Sequence, residues 1–265
     1  MPDSPALDVA FYVADEQGLR NSLEKSLAKM SLEPKASVFE NAIILPTKRT
    51  ELGATLAGGV ILPTGDFLAG HSRHESPQSS FNQDGSVILR GYLPDRVTVK
   101  RDETVIWGGS NMQSHFGHIL MELFSRLWYT TENPNSFRIV FQQQWLPDFA
   151  YDLLDLAGIG KKSVLLITEP TQFKSVIIPE QCLYLHSARS SLPKIKTVFD
   201  SIRANVPKAG SDKVYLSRTK LGKKTAHLSG EEYFEQFYAD HGYQIVHPQL
   251  LPIAEQISVI SAARH

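Results

Sequence analysis

The sequence predicts an α/β fold whose second half builds a parallel sheet, and three observations carry that prediction. Short apolar, β-branched runs fill the first third of the chain. A helical period sets in near Ser114. Beyond Pro134, strand-like and helix-like segments alternate to the last residue.

In the first third, Ala42-Ile43-Ile44-Leu45 and Val60-Ile61-Leu62 are apolar runs closed by Pro46 and Pro63, with Gly58-Gly59 between them. Residues 70–83, rich in Ser, His, Asn and Gln, read as an exposed connection before a strand at Val87–Gly91. Arg96–Lys100 alternates, Val105-Ile106-Trp107 follows, and Gly108 and Gly109 end the β pattern. From Ser114, at about 100° per residue, Phe116, Ile119, Leu120, Leu123, Phe124 and Leu127 share one side, the core stripe of an amphipathic helix. His115, His118, Glu122, Ser125, Arg126 and Tyr129 form a contiguous polar band on the other side.

The alternation then predicts a strand at Arg138–Gln142, a helix at Trp145–Leu156 stopped by Gly158, strands at Ser163–Ile167 and Ser175–Ile178, and a helix at Leu192–Ala204 ended near Pro207. Lys213–Leu216 reads as a strand and Ser217–Leu228 as a basic loop. Ser229-Gly230-Glu231-Glu232 has the form of a capping box, which predicts a helix to about Asp240. Gly242 turns the chain into a strand at Tyr243–Val246, and a last helix runs from Ile253 to about Ala263. A strand–helix–strand–helix series of this kind is right-handed parallel architecture with its next strand still to come.

At 265 residues, 42% apolar and 21% charged, the chain has the composition of an ordinary globular protein of one large or two modest domains. A net charge of −1 argues against nucleic acid as a partner. The single cysteine, Cys182, forms no intrachain disulfide; it reads as a packed small hydrophobe rather than a nucleophile, and implies a reducing compartment. Met1–Leu7 lacks the charged and apolar regions of a signal peptide. The most apolar stretches, Val164–Thr168 and Ser175–Pro179, fall far short of the roughly 20 residues of a transmembrane helix. The expected location is cytoplasmic, with peripheral membrane association left open.

Two constellations carry chemistry. His118-x-x-x-Glu122, with His115 before it and Arg126 after it, places an imidazole and a carboxylate as neighbours on a helix, where either could act as a general base near neutral pH. The spacing equally suits a solvated face carrying an ion pair. A metal site of His115, His118 and Glu122 is a third reading, although the chain has neither an HExxH helix nor a cysteine cluster. The second constellation is Ser217-Arg218 at the end of a strand, followed by Lys220, Lys223 and Lys224. A basic loop at a strand's carboxyl end, leading to a helix, suits a diphosphate, with the Arg218 fork as the best candidate and the lysines equally at home in a solvated loop. There is no P-loop, no dinucleotide Gly-x-Gly-x-x-Gly after a strand and no Gly-x-Ser-x-Gly elbow.

In order and separation, these segments resemble glycosyltransferase family 61. Residues 114–128, Ser-His-Phe-Gly-His-Ile-Leu-Met-Glu-Leu-Phe-Ser-Arg-Leu-Trp, are similar to the family's His-x-x-x-Asp/Glu-x-x-x-Arg-Leu helix. Val214-Tyr215-Leu216-Ser217-Arg218 is similar to its strand ending in Ser-Arg, and Gly242–Pro248 with Glu255–Ile257 and Ser261–Ala263 to the run that precedes its donor loop. The resemblance extends from about Val87 to the last residue. It departs where Lys224 and Ser229-Gly230 stand near the family's Arg-x-x-x-Asn-Glu, and where the family's Gly-x-His-Gly-x-x-x-x-Asn donor loop is expected just past His265.

The resemblance implies a GT-B-like pair of Rossmann-like domains, an acceptor-side domain over residues 1–205 and the beginning of a nucleotide-sugar domain over 206–265, incomplete at its C-terminus. It implies an inverting transfer of a hexosyl or pentosyl group from a nucleotide sugar to a glycan acceptor, as in capsular or surface polysaccharide biosynthesis. His118 or Glu122 would serve as catalytic base, Arg218, Ser217 and Lys224 would bind the donor diphosphate, and His115 and Arg126 would stand on the acceptor side. No cofactor is called for, the nucleotide sugar being a substrate, and the resemblance leaves a metal requirement open. A catalytically silent glycan- or nucleotide-binding module and a His/Glu metal hydrolase are the alternatives.

Overall fold

A computed structural model describes residues 17–18, 21, 33–49, 56–66, 68, 80–81, 87–88, 97, 99–109, 116–134, 136–142, 145–182, 192–221 and 230–264. The strands are β1 Ala36–Glu40, β2 Ile43–Arg49, β3 Leu56–Ile61, β4 Ser80–Phe81, β5 Val87–Ile88, β6 Val99–Trp107, β7 Arg138–Phe141, β8 Val164–Leu166, β9 Thr171–Pro179, β10 Val214–Leu216 and β11 Gln244–Val246. The α-helices are α1 Phe116–His118, α2 Trp128–Glu132, α3 Asp148–Leu156, α4 Leu192–Ala204, α5 Glu231–Asp240 and α6 Ile253–Ala262. The architecture is mixed α/β. No helix among the described residues is long and apolar enough to cross a membrane.

The main sheet has the order β3-β2-β9-β6-β7-β8, with β1 also on β9. Strands β6, β7, β8 and β9 are mutually parallel, whereas β1, β2 and β3 run antiparallel to their neighbours. Read from the edge, β8-β7-β6-β9 has the chain order 3-2-1-4, so the strand order reverses at β6, with β7 on one side of it and β9 on the other. Helices lie in the β6–β7 and β7–β8 connections, but residues 167–170 join β8 to β9 with no helix.

Alternation along each strand sorts the core into two faces. Ile106, Ile139, Phe141 and Ile177 meet the helices, packing with Leu123, Phe124 and Leu127, with Leu153 and Leu154 of α3, and with Val198 of α4. Val105, Trp107, Val140, Val176 and Ile178 face the other way and are covered by Ala42, Ile44, Val60 and Phe173 of the sheet itself. The sheet therefore curls over its own face. Gln142, fully buried just past β7, fastens the curl: its side-chain amide N–H groups donate to Leu45 O at 2.7 Å and Gly59 O at 2.8 Å, and its backbone carbonyl accepts from Thr47 N at 2.7 Å.

That stitch corrects one expectation. Pro46 does not close a strand, because β2 passes through it with a register shift between Leu45 and Lys48. Proline is tolerated at such an irregularity, where the ladder asks no N–H of it. Likewise Val99–Lys100, the end of the first alternating run, and Val105–Trp107 belong to one strand, β6, with its own register shift between Arg101 and Thr104; Arg96 and Thr98 lie outside the described residues. β1 and β2 lie end to end on β9 in one register, from Ala36 opposite Pro179 to Ile44 opposite Thr171, with Asn41 at φ 54° between them. Short polar asparagine accepts that left-handed conformation better than most side chains.

Strands β10 and β11 pair in parallel, Val214 with Gln244 and Leu216 with Val246, with α5 crossing between them. The next helix, α6, returns to the main body. Ile253 is buried in the helix-side core, and Ser258 Oγ donates to Pro207 O at 2.6 Å.

Candidate functional site

In open α/β sheets, ligands collect outside the carboxyl ends of the parallel strands, near the place where the strand order reverses. Here the order reverses at β6, between β7 and β9. β6 ends at Trp107, followed by buried Gly108 and Gly109, and β9 ends at Pro179. The helical segment that crosses this end is not a regular α-helix. α1 gives way to a π-helical turn at Ile119–Leu123, then a 3₁₀ turn at Phe124–Arg126, then α2. Single π turns are rare and concentrate at functional sites. This one begins directly after His118 and contains Glu122. The side chains of His118 and Glu122, and all of His115, lie outside the described residues.

Arg126 ends the 3₁₀ turn and is only 3% exposed. Its guanidinium donates to Pro179 O and lies 4.6 Å from the Trp107 ring centroid, so one side chain spans the ends of β9 and β6. Two further bonds fasten the same helix to the segment after β9. Cys182 N donates to Ser125 O at 2.9 Å, and Trp128 Nε1 donates to Glu180 O at 2.9 Å. The reading of residues 115–129 as a solvated polar band is thereby corrected for Ser125 and Arg126, which are buried. Phe116, assigned to the core stripe, is 44% exposed. The physical reason is phase: a widened turn followed by a tightened one departs from the uniform rotation on which the band was drawn. Gln181, 5% exposed beyond β9, was not singled out by sequence pattern. Its Oε1 is buried and has no hydrogen-bond partner among the described residues.

Cys182 closes this region as the sequence predicts. It is buried in the helix-side core, and its thiol is pushed up to about 12, chiefly by burial. The reactive thiolate is then scarce at any ordinary pH. A disulfide reagent at pH 8 is expected to leave the native protein untouched and to titrate one thiol after denaturation. Rapid reaction of the folded protein would contradict this placement.

The second constellation stands at the carboxyl ends of β10 and β11. Ser217 is fully buried, its N–H donating to Val246 O at 2.8 Å. Its hydroxyl donates to Glu235 of α5 and lies 3.1 Å from Thr219 Oγ1, which donates to the same carboxylate at 2.5 Å. Arg218 is exposed, with its backbone N–H donating to Glu231 Oε1 at 2.6 Å. The Ser217 and Thr219 hydroxyls hold the Glu235 carboxyl below its ordinary value of 4.5. His247 Nδ1, at the end of β11, is 3.8 Å from Glu235 Oε1. Helix α5 starts after Gly230, whose φ of 83° makes it the N-cap residue in place of the Ser229 that the capping-box pattern predicts. Ser229 lies outside the described residues, as do Lys223 and Lys224; Lys220 is described and exposed. Glu231, which the pattern passed over in favour of Glu232, is the buried carboxylate.

The motif helix and the Ser217–Arg218 turn thus each stand at the carboxyl ends of a parallel strand pair, one on the main sheet and the other on the β10–β11 sheet. Among the described residues no group of three or more His, Cys, Asp and Glu side chains could hold a metal ion. The family model described as Glycosyltransferase 61 matches residues 116–265, more than half of the chain, beginning at the first residue of α1 and including both Arg126 and the Ser217–Arg218 turn. No curated protein and no solved structure matches the chain.

Proposed function

The chain belongs to glycosyltransferase family 61, and from that premise we propose that it moves a hexosyl or pentosyl group from a nucleotide sugar to a glycan acceptor, with inversion, in the cytoplasmic synthesis of a capsular or surface polysaccharide. The observation that carries the reading is the seating of the motif helix. Arg126 fixes it across the carboxyl ends of the parallel strands β6 and β9, where α/β sheets take their ligands, with His118 directly before the π turn and Glu122 within it.

In this reading His118 or Glu122 takes the proton from the acceptor hydroxyl as its oxygen attacks the anomeric carbon. The bond from that carbon to the diphosphate breaks, and Arg218, together with Lys224, stabilises the charge that leaves with it. The acceptor binds on the His115 side. Arg126, whose guanidinium is embedded, acts on the acceptor only through the helix that it anchors. A GT-B-like pairing of Rossmann-like domains would bring the Arg218 turn opposite this helix.

The test is transfer by the full chain from a panel of radiolabelled nucleotide sugars to glycan acceptors, with the product anomer read by NMR. His118→Ala, Glu122→Ala and Arg218→Ala are each expected to cut transfer by about 10²-fold or more without changing the melting temperature. Wild-type turnover in all three variants would overturn the assignment.

A further inference from the structure

We propose that Glu231 and Glu235 are positioning residues that lock the Ser217–Thr219 turn and so aim the Arg218 side chain, and that Ser217 acts in this clamp rather than as a ligand of the donor. The inference rests on the reading of Arg218 as the diphosphate-binding residue.

The two carboxylates stand four residues apart on α5, on one face of the helix. Between them they occupy three donors of the turn: the Ser217 hydroxyl, the Arg218 N–H and the Thr219 hydroxyl. The Thr219 N–H is taken by Ser217 Oγ at 3.1 Å, and the Leu221 N–H by Arg218 O at 2.9 Å. A loop that cradled phosphate with its backbone would keep such donors open. In the Ser217–Thr219 turn they are committed to protein acceptors, so an anion arriving there meets the exposed Arg218 side chain.

Electrostatics makes the arrangement informative. Two carboxylates beside an anion site repel the anion, and Glu231 is only 4% exposed, in surroundings where an ionised carboxylate is costly unless hydrogen-bonded. An acidic residue in the first turn of a helix has a reason to be there even without a ligand, since it interacts favourably with the helix dipole. The two roles predict opposite signs. If Glu231 serves only its own helix, removing its charge leaves anion binding unchanged or tightens it. If it aims Arg218, removing the acceptor loosens the turn and weakens binding, although repulsion has been relieved.

The experiment is calorimetric titration of the full chain with inorganic pyrophosphate, which carries the group shared by all nucleoside diphosphate donors. Arg218→Ala is expected to abolish the signal. Glu231→Ala and Glu235→Ala are expected to weaken binding by about tenfold, as misplacement of a binding group does, whereas Glu231→Gln, which keeps an oxygen acceptor for the Arg218 N–H, binds at least as well as wild type. Melting temperatures identify variants that are folded, and Glu235→Ala serves if Glu231→Ala is not. Wild-type binding by Arg218→Ala would overturn the donor-site reading together with this inference. Loss in Arg218→Ala, with undiminished binding in both glutamate-to-alanine variants, would overturn the clamp alone.

Discussion

Substitution of Gly108 by alanine is expected to destabilise the protein by about 3 kcal/mol, seen as a fall of roughly 6–12 °C in melting temperature. A Cβ at this position would stand 2.1 Å from Cε1 and 2.5 Å from Cδ1 of Phe141, and 2.8 Å from Cγ2 of Ile139. Neither neighbour has room to retreat, since both are fully buried in the helix-side core. The backbone is held as well, because Gly108 N donates to Val140 O at 2.9 Å. Gly160→Ala is the control. A Cβ there meets nothing within 4 Å, and its φ of −64° suits any residue, so its effect should stay within about 0.5 kcal/mol. Adding Phe141→Leu to Gly108→Ala should recover part of the loss, giving a coupling that two independent substitutions would lack. Calorimetric melting of these three variants and of Phe141→Leu alone decides the matter, and an unchanged melting temperature in Gly108→Ala would refute the close packing of Gly108 on Phe141.

Arg126→Met is expected to cost about 3 kcal/mol and to suppress transfer. Methionine fills much of the volume but leaves Pro179 O without its charged donor and removes the cation from Trp107. Arg126→Lys keeps the charge while losing the planar fork, so it should recover only part of the stability. Denaturant titration measures the first effect and the transfer assay the second. Full stability in Arg126→Met would mean that the guanidinium does not tie the motif helix to the sheet. Because Arg126 bridges the ends of β6 and β9, its loss should be felt in activity beyond the fraction of protein unfolded.

Elements set by local chemistry were legible in the sequence. Helix α4 spans Leu192–Ala204 as the strand–helix alternation and Pro207 predict, and β10, β11 and α6 lie within a residue of their expected bounds. Elements set by pairing were less so. β9 was visible at Ser175–Ile178, but it extends back to Thr171 because Gln172 and Thr171 pair with Ile43 and Ile44, partners remote in sequence. The same limit hid the site. Ser217-Arg218 and the His118-x-x-x-Glu122-x-x-x-Arg126 helix could be picked out by residue type. That Arg126 is embedded depends on β9 lying beside β6, a pairing that no local period encodes. Ser217 and Glu235 meet across an intervening loop, so a hydroxyl that reads as a phosphate ligand turns out to be bonded to a carboxylate of its own chain.

The return of α6 to the main body, with Ile253 in its core and Ser258 on Pro207, has a mechanical consequence. The β10–α5–β11 unit is joined to the rest by two chain segments, one before β10 and one between β11 and α6, both ending near the same helices. Tethered at both ends, it has fewer arrangements open to it than a unit hung from a single length of chain.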